Sequence, residues 1–390
     1  MNPSFYIILA AQFISALADN ALLFAAIALL TQLHAPAWHT PLLQEFFVIS
    51  YIVLAPFVGS FADALPKGRV MFLSNAIKLL GCLSMLLGVP PLYAYGIVGV
   101  GAAAYSPAKY GILTELLPPQ LLVKANGWME GSTVLAIILG AIAGGKLASI
   151  DPQFSVVLIT GLYLLAAGIN LYIPKVPIDH RMPKKNPLYA LHDFWHSFTA
   201  LWRDPQGQVS LAVTTLFWGA GTTLRLVVIA WAFSALNFGL DRATQLTAMV
   251  ALGIAIGSIY AARYVKLEES IKVLPAGILM GILVISMVLV HDWRIAALVL
   301  FFIGILSGYF VVPLNALLQH RGHILIGAGH SIAVQNFNEN IGILLLIAAY
   351  TFMVKSNVPI QLIVVIFGAF VSLVMGIIYR AYLALKPSAP

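Results

Sequence analysis

The sequence predicts an all-α membrane protein of twelve transmembrane helices arranged as two six-helix repeats. Of the 390 residues, 61% are hydrophobic and only 9% are charged, and the mean hydropathy is +0.95. A soluble domain carries about 25% charged residues, so lipid rather than water is expected around most of this chain. In lipid, a helix satisfies every backbone polar group within its own segment, and the spans are therefore predicted to be helical.

Twelve apolar runs are long enough to cross a bilayer, for which a helix needs about 20 residues. They are predicted at approximately 5–31, 42–62, 70–88, 92–116, 124–149, 154–174, 209–236, 244–264, 272–290, 294–318, 327–354 and 358–383. The first run lacks a preceding basic region and is longer than the core of a signal peptide, so we expect a helix there and not a cleaved signal.

The distribution of Lys and Arg predicts that both termini lie in the cytoplasm. With this orientation, 14 of the 21 basic residues fall on the cytoplasmic side, 4 on the outer side and 3 within the spans. Cytoplasmic loops of membrane proteins carry such an excess of basic residues. These loops account for the net charge of +7, and nucleic acid is not expected as a partner.

One long connection, residues 175–208, separates the first six predicted spans from the last six. Its second part places apolar residues at three- and four-residue steps, the spacing of one helix face. These residues are Leu188, Leu191, Phe194, Trp195, Phe198, Leu201 and Trp202. We expect an amphipathic helix that either lies on the inner membrane surface or packs against the ends of the helix bundle.

Three short motifs recur in corresponding spans of the two halves, in the same order. The pairs are Gly59-Ser60 with Gly257-Ser258, Pro107 with Pro313, and Asn126-Gly127-Trp128-Met129-Glu130 with Gln335-Asn336-Phe337-Asn338-Glu339. We therefore predict an N-terminal six-helix bundle at 1–174, a cytoplasmic linker with an amphipathic helix at 175–208, and a C-terminal six-helix bundle at 209–390. Repeats of this kind are typical of secondary transporters, whose binding sites lie where the repeats meet.

The segment that follows span two reads Gly59-Ser60-Phe61-Ala62-Asp63-Ala64-Leu65-Pro66-Lys67-Gly68-Arg69. It resembles the loop motif of the major facilitator superfamily, in which an acid follows a Gly by four residues and precedes a basic–Gly–basic turn. The resemblance implies the major facilitator fold, in which spans 1, 4, 7 and 10 line a central cavity. It assigns a structural and gating role to Gly59, Asp63, Lys67 and Arg69.

Five further stretches are similar to the bacterial lysophospholipid transporter (LplT) family. They are 13–24 (FISALADNALLF), 101–113 (GAAAYSPAKYGIL), 216–221 (LFWGAG), 310–319 (FVVPLNALLQ) and 334–336 (VQN). The resemblance implies a flippase that moves lysophosphatidylethanolamine and lysophosphatidylglycerol across the bacterial inner membrane by alternating access. It also implies that a separate acyltransferase or acyl-ACP synthetase re-acylates the lysolipid in the cytoplasmic leaflet, as part of phospholipid remodelling.

Ionisable residues inside the predicted spans are candidates for a site, because a charge in hydrocarbon costs roughly 3 kcal/mol on insertion scales. Asp19, which precedes Asn20, and Arg225 lie near the middle of the corresponding spans one and seven. A carboxylate can bind an ammonium group, carry a proton or pair with a basic neighbour, and a guanidinium suits a phosphate. We expect both to contact the headgroup, although they could equally pair with each other.

The other charges within the spans are assigned different roles. Lys109 either attracts phosphate or ties the two halves together. Glu130 and Glu339 hold matching places beside amides, and we expect Glu130 to act in the gate and Glu339 to be the better substrate candidate. Lys78, on a supporting span, is expected to snorkel or to bond locally. The predicted substrate-binding residues, including two aromatics of cavity-lining spans, are Asp19, Asn20, Lys109, Arg225, Glu339, Tyr105 and Trp218.

Two alternative functions remain open from the sequence. The same fold suits a proton-coupled exporter of drugs or small amphiphiles, with Asp19 or Glu339 as the proton carrier. A membrane-embedded acyltransferase would need a His–acid pair, and His320 and His323 lack the His-x-x-x-x-Asp pattern, so no enzymatic activity is expected. One cysteine, Cys82, precludes an intrachain disulfide, and we predict no cofactor and no metal site.

Overall fold

A computed structural model describes residues 3–35, 39–176 and 187–385. In these ranges the chain forms thirteen α-helices, three short 3₁₀ segments and no β-strand, which confirms the predicted all-α class. The helices are α1 (Pro3–Gln32), α2 (His39–Ala64), α3 (Lys67–Leu86), α4 (Pro91–Leu116), α5 (Leu122–Ile150), α6 (Pro152–Asn170), α7 (Pro187–Arg203), α8 (Pro205–Leu236), α9 (Leu240–Tyr264), α10 (Leu274–Ser286), α11 (Trp293–Ile326), α12 (Ala328–Lys355) and α13 (Ile360–Leu385).

Eleven helical segments of the described chain are long and apolar enough to cross a membrane, and the protein is therefore a multi-pass membrane protein. One of them, Leu267–Leu289, reaches its length by adding 3₁₀ turns to both ends of α10. Helix α4 stands in the place of the predicted fourth span but is not among the eleven. It has 26 residues, and its glycines, tyrosines and Lys109 reduce its hydropathy.

Acidic residues define the starts of two helices. The Asp151 carboxylate accepts hydrogen bonds from the backbone N–H groups of Gln153 and Phe154, at 2.9 and 3.1 Å, immediately before α6. Asp204 does the same for Gly207 at the start of α8, at 2.8 Å. In both cases Pro occupies the first helical position, where its missing N–H costs nothing.

The described helices group into two compact units that do not follow the order of the chain. Unit 1 comprises Met1–Pro118, Leu135–Leu201 and Gly322–Phe337. Unit 2 comprises Pro119–Val134, Trp202–Arg321 and Asn338–Pro390. Helix α5 therefore contributes its first part to unit 2 and its second part to unit 1, and α12 is divided in the opposite sense.

Small residues bring α1 and the second part of α5 into backbone contact within unit 1. A Cβ atom added to Gly144 would lie 2.5 Å from Ala21 Cα, and one added to Gly140 would lie 2.8 Å from the Leu17 carbonyl oxygen. Glycines at such four-residue spacing allow membrane helices to approach closely. This packing fixes the stretch of α1 that carries Asp19.

Helix α7, in the linker, packs one face onto unit 1 and exposes another. Phe194 is buried, and its ring forms an edge-to-face contact with Phe337 at 5.4 Å between centroids. Leu188, Leu191 and Trp195 are exposed by 73%, 48% and 62%. The helix therefore packs against the bundle, as one of the two expectations had it, and keeps an apolar flank of the kind that suits a membrane interface.

Candidate functional site

A small polar cavity lies inside unit 1, among helices α1, α2, α3 and α4. Its volume is about 60 Å³, room for on the order of four water molecules. Its walls are formed by Gln12, Ser15, Ala16, Asp19, Tyr51, Lys78, Ala102, Tyr105, Ser106 and Lys109. Three predicted substrate-binding residues, Asp19, Tyr105 and Lys109, are thus brought to one place.

Asp19 holds hydrogen bonds on both of its carboxylate oxygens. Lys78 Nζ donates to Oδ2 at 2.8 Å, and the Tyr163 hydroxyl donates to Oδ1 at 2.6 Å. The Asp19 side chain is 21% exposed and that of Lys78 only 1%. A buried ion pair of this kind is maintained only when the geometry and the extra hydrogen bonds offset the loss of hydration.

The expectation for Lys78 was wrong. Its ammonium does not reach a membrane surface, because α3 turns this side chain into the bundle, against α1. Lys78 Nζ also donates to Ser15 Oγ at 3.1 Å and lies 4.8 Å from the centre of the Tyr105 ring. The amide of Asn75 instead accepts a hydrogen bond from Ser15, at 2.8 Å. The partner of Asp19 in this structure is therefore Lys78.

Of two further predicted residues, Lys109 lines this cavity and Asn20 does not. Lys109 lines the cavity, with its ammonium 4.2 Å from the centre of the Tyr110 ring. Asn20 does not line it, since its side-chain amide donates to the Ala16 carbonyl one turn earlier in α1, at 2.8 Å. The Asn20 side-chain amide is thus hydrogen-bonded within α1 and does not face the cavity.

A second polar cluster in unit 1 surrounds the turn between α2 and α3. Asp63 Oδ1 accepts from Lys67 Nζ at 2.6 Å and from the Gly329 backbone N–H at 2.8 Å. Lys67 also lies 3.0 Å from Glu115 at the end of α4. The carboxylate of Asp63 therefore caps the start of α12, where unpaired backbone N–H groups favour an anion.

Gly59 makes room for this arrangement, because a Cβ atom there would lie 3.0 Å from His330 Cα. The side chain of Arg69 is exposed, so the structure does not place it within the cluster.

Sequence reasoning missed His330 and Asp193 as members of the cluster. His330 Nδ1 lies 2.6 Å from Asp63 Oδ2, and its Nε2 lies 2.9 Å from Asp193 Oδ2 on helix α7. Ser60 Oγ is 3.1 Å from the same Nε2. Gly327, with a φ of 95°, forms the turn between α11 and α12 that brings His330 to this place.

In unit 2, the first part of α5 joins α11 through amides. Asn126 and Gln319 exchange two hydrogen bonds of 2.8 Å, and Glu130 accepts from Asn315 at 3.4 Å. Asn126 and Glu130 belong to the predicted repeat motif, and both are buried. The Asn126 amide of the repeat motif therefore joins α5 to α11.

The remaining predicted residues also belong to unit 2 and do not line the cavity of unit 1. Glu339 is 7% exposed on α12, and the exposed side chain of Arg225 projects from α8. Trp218 is half-buried and makes an edge-to-face contact with Phe217, with 5.4 Å between ring centres.

Known proteins resemble this chain in sequence and in fold. The Major Facilitator Superfamily profile matches residues 8–347. A "Lysophospholipid transporter LplT" of Yersinia enterocolitica is 49% identical over 355 residues, which cover 90% of this chain and 88% of that protein. A protein of the same name from Yersinia pestis is 47% identical over 362 residues, covering 92% and 89%.

Solved transporters show the same fold at low sequence identity. The human organic anion transporter MFSD10 has a TM-score of 0.75 at 15% identity, over 98% of this chain and 100% of that chain. A variant of the E. coli fucose:proton symporter FucP has a TM-score of 0.76 at 14% identity, over 97% and 98%. On the extent of these matches, the chain belongs to the major facilitator superfamily and, within it, to the LplT family.

Proposed function

We propose that this protein transports lysophospholipids across the membrane by alternating access. The observation that carries the proposal is the Asp19–Lys78 ion pair, in which Lys78 is buried, beside a polar cavity inside unit 1. Such a cavity replaces the hydration shell that a charged headgroup loses on leaving water. The names of the two Yersinia relatives, at 49% and 47% identity, supply the substrate class.

In this proposal, the headgroup binds at polar residues of the bundle while the acyl chain lies against apolar surface. Asp19, Lys109 and Tyr105 would contribute from the cavity of unit 1. Arg225 and Glu339 of unit 2, with Trp218 and Asn20 as weaker candidates, would contribute at another stage of the cycle. A guanidinium suits phosphate, because its N–H groups can donate to two phosphate oxygens at once.

The two clusters near helix ends are proposed to act in gating. Asp63, from the first half of the sequence, accepts hydrogen bonds from the start of α12 in the second half, and Lys67 pairs with Asp63. Gly59 permits that contact, and Arg69 would anchor the turn at the membrane surface. Glu130 would hold α5 against α11. In this proposal, the change of conformation during transport breaks at least one of these contacts.

The location and partners of the protein follow from the same proposal. An excess of Lys and Arg in alternate loops favours both termini in the cytoplasm. The motifs repeated in the two halves favour two six-helix bundles, at 1–174 and 209–390, and the resemblance to the LplT family implies the bacterial inner membrane. The delivered lysolipid would be a substrate for a separate acyltransferase or acyl-ACP synthetase. The protein itself would perform no chemistry, in keeping with relatives that are named transporters.

The test is reconstitution of the purified protein into vesicles with labelled lysophosphatidylethanolamine. Faster transfer between leaflets than in protein-free vesicles supports the proposal, and an equal rate contradicts it. Repeating the assay with and without a proton gradient addresses the exporter alternative, which the named relatives do not favour. Strict dependence on the gradient, with export of unrelated amphiphiles, would support that alternative.

A further inference from the structure

His330 faces a carboxylate with each of its two ring nitrogens. Nδ1 lies 2.6 Å from Asp63 Oδ2, and Nε2 lies 2.9 Å from Asp193 Oδ2. A neutral imidazole carries a proton on only one ring nitrogen, whereas an ionised carboxylate can only accept hydrogen bonds. Both contacts are therefore hydrogen bonds at the same time only when His330 is an imidazolium ion, with a proton on each nitrogen.

The contact between Asp63 and Nδ1 does not depend on the proton at the other ring nitrogen. Asp63 is 4% exposed, and its carboxylate accepts hydrogen bonds from Lys67 Nζ and from the backbone N–H groups of Gly329 and His330. These donors hold the carboxylate in place, and its Oδ2 in turn keeps a proton on Nδ1. When the imidazolium loses one proton, we therefore expect the loss at Nε2, the nitrogen that faces α7.

Nε2 has a second neighbour that suits the neutral ring. Ser60 Oγ of α2 lies 3.1 Å from this nitrogen, and a hydroxyl group can donate to a nitrogen that carries no proton. Without its proton, Nε2 would turn a lone pair towards the Asp193 carboxylate, which is unfavourable, while Ser60 could donate to it. The Asp193 side chain is 30% exposed, so water can hydrate its charge once the contact with His330 is lost.

The charged groups packed around His330 favour the imidazolium form. Asp63 of α2 and Asp193 of α7 face the ring directly, and behind Asp63 the Lys67 ammonium of α3 also pairs with Glu115 of α4. Three carboxylates thus surround one ammonium, and a proton on His330 reduces the excess of negative charge.

One further imidazole belongs to the same part of the fold. Helix α11 packs on α12 where Gly322 meets Ser331, and the titratable residue on the part of α11 in unit 1 is His323. His323 is therefore included among the control positions below.

We propose that a proton on His330 docks helix α7 onto α2 and α12, and that loss of this proton releases α7. The inference goes beyond the proposed transport and does not depend on it. The ring contact between Phe194 and Phe337 does not titrate, so release means that α7 opens more often and not that it separates from unit 1. The consequence is that the linker helix responds to pH through a residue at the start of α12.

The test follows hydrogen–deuterium exchange of residues 187–203 in the purified protein, from about pH 5 to about pH 9, a range in which an imidazole changes its charge. Each exchange rate is divided by that of an unstructured peptide at the same pH. We expect the protection of α7 to fall by about tenfold or more as the pH rises, because a hydrogen bond to a charged group is lost. The protection of α6 (152–170) should stay constant. A protection of α7 that is constant, or that rises with pH, would overturn the proposal.

Substitution of single histidines assigns the effect to one residue. His330→Gln should give a flat profile, because its amide NH₂ can donate to Asp193 at every pH. His192→Gln and His196→Gln, at exposed positions of α7, and His323→Gln are the matched controls and should keep the wild-type profile. A fall in protection that persists in His330→Gln, or that disappears in one of the controls, would contradict the assignment.

Variants of the two neighbours of Nε2 keep the test decisive if His330→Gln does not fold. Ser60→Ala removes the donor that satisfies the neutral ring, so the midpoint of the fall should move to higher pH. Asp193→Asn should give a flat profile, since an amide can either donate to or accept from Nε2. A midpoint that is unchanged or lower in Ser60→Ala, or a wild-type profile in Asp193→Asn, would exclude this role of the His330 proton.

Discussion

Asp63 and His330 are hydrogen-bonded although 267 residues separate them in the chain. Asp63 Oδ2 accepts from the His330 backbone N–H at 3.0 Å and lies 2.6 Å from its ring Nδ1. One carboxylate therefore fixes both the first turn of α12 and the orientation of the imidazole. Because the other ring nitrogen faces Asp193, the contact also extends to α7.

Asp63→Asn should impair both folding and transport. The substitution places an amide NH₂ where an oxygen now accepts backbone N–H groups, and it leaves the buried Lys67 with Glu115 as its carboxylate neighbour. We expect a fall in lysolipid transfer of about tenfold, since breaking a buried charge pair is costly. Asp151→Asn, at the start of α6, removes a helix-capping acid of the same type and is the control. Equal activity of Asp63→Asn and the wild type would exclude a gating role for Asp63.

Asp193→Asn should loosen helix α7. The carboxylate is the group on α7 that reaches His330, at 2.9 Å, next to the ring contact between Phe194 and Phe337. Losing a hydrogen bond to a charged group costs about 1.5–3 kcal/mol, so α7 should open more often. Faster hydrogen–deuterium exchange of residues 187–203 would reveal this. His196→Gln, at an exposed position of the same helix, should leave the exchange unchanged, and an equal increase in both variants would contradict the assignment.

Gly127→Ala should destabilise the protein, whereas Gly131→Ala should not. A Cβ atom at Gly127 would lie 2.4 Å from Ala262 Cβ and 2.9 Å from the Ser258 carbonyl oxygen, whereas Gly131 has open space around it. Alanine normally stabilises a helix by about 1 kcal/mol over glycine, so only the clash at Gly127 reverses the sign. Thermal unfolding in detergent should give a lower Tm for Gly127→Ala and an unchanged or higher Tm for Gly131→Ala. A Tm for Gly127→Ala that is not lower would refute the close packing of α5 on α9.

Asp204→Asn should destabilise the protein at neutral pH and less so in acid. Burial alone would raise the pKa of Asp204, but hydrogen bonds from Arg321 and from the Gly207 N–H hold that pKa below its ordinary value. A carboxyl with a lowered folded-state pKa contributes stability above its unfolded pKa of about 3.9, and the contribution is lost as the pH falls through the folded value.

The Tm difference between the wild type and Asp204→Asn should therefore be constant from pH 7 to about pH 5 and should shrink below about pH 4. A difference that grows on acidification would show that the ionised form of Asp204 is not what stabilises the start of α8.

The helices could be predicted from sequence because hydropathy and capping are local properties. Asp151 and Asp204, each followed by Pro, stand at the starts of α6 and α8. The role of Lys78 could not be predicted in the same way. Whether a Lys on a supporting helix faces lipid or the bundle depends on its neighbours, here Asp19 and Gly101, which are distant in the chain.

Long-range contacts also explain what was missed near α12. His330 meets Asp63 and Asp193 only because α2, α7 and α12 pack together in unit 1. No local sequence pattern indicates such a contact. The linker helix could be predicted only as an amphipathic helix. By contrast, Asn126 and Glu130 belong to a motif that the sequence repeats in both halves, and in the structure they contact Gln319 and Asn315.

The most direct test of the account is the rate at which vesicles containing Lys78→Gln transfer labelled lysophosphatidylethanolamine. The matched control is Lys272→Gln, which removes an ammonium that is 72% exposed and paired with Glu269. At equal amounts of reconstituted protein, we expect Lys78→Gln to transfer the lipid about tenfold more slowly or worse, while Lys272→Gln matches the wild type. Wild-type rates for Lys78→Gln would contradict the claim that the Asp19–Lys78 pair forms the substrate site.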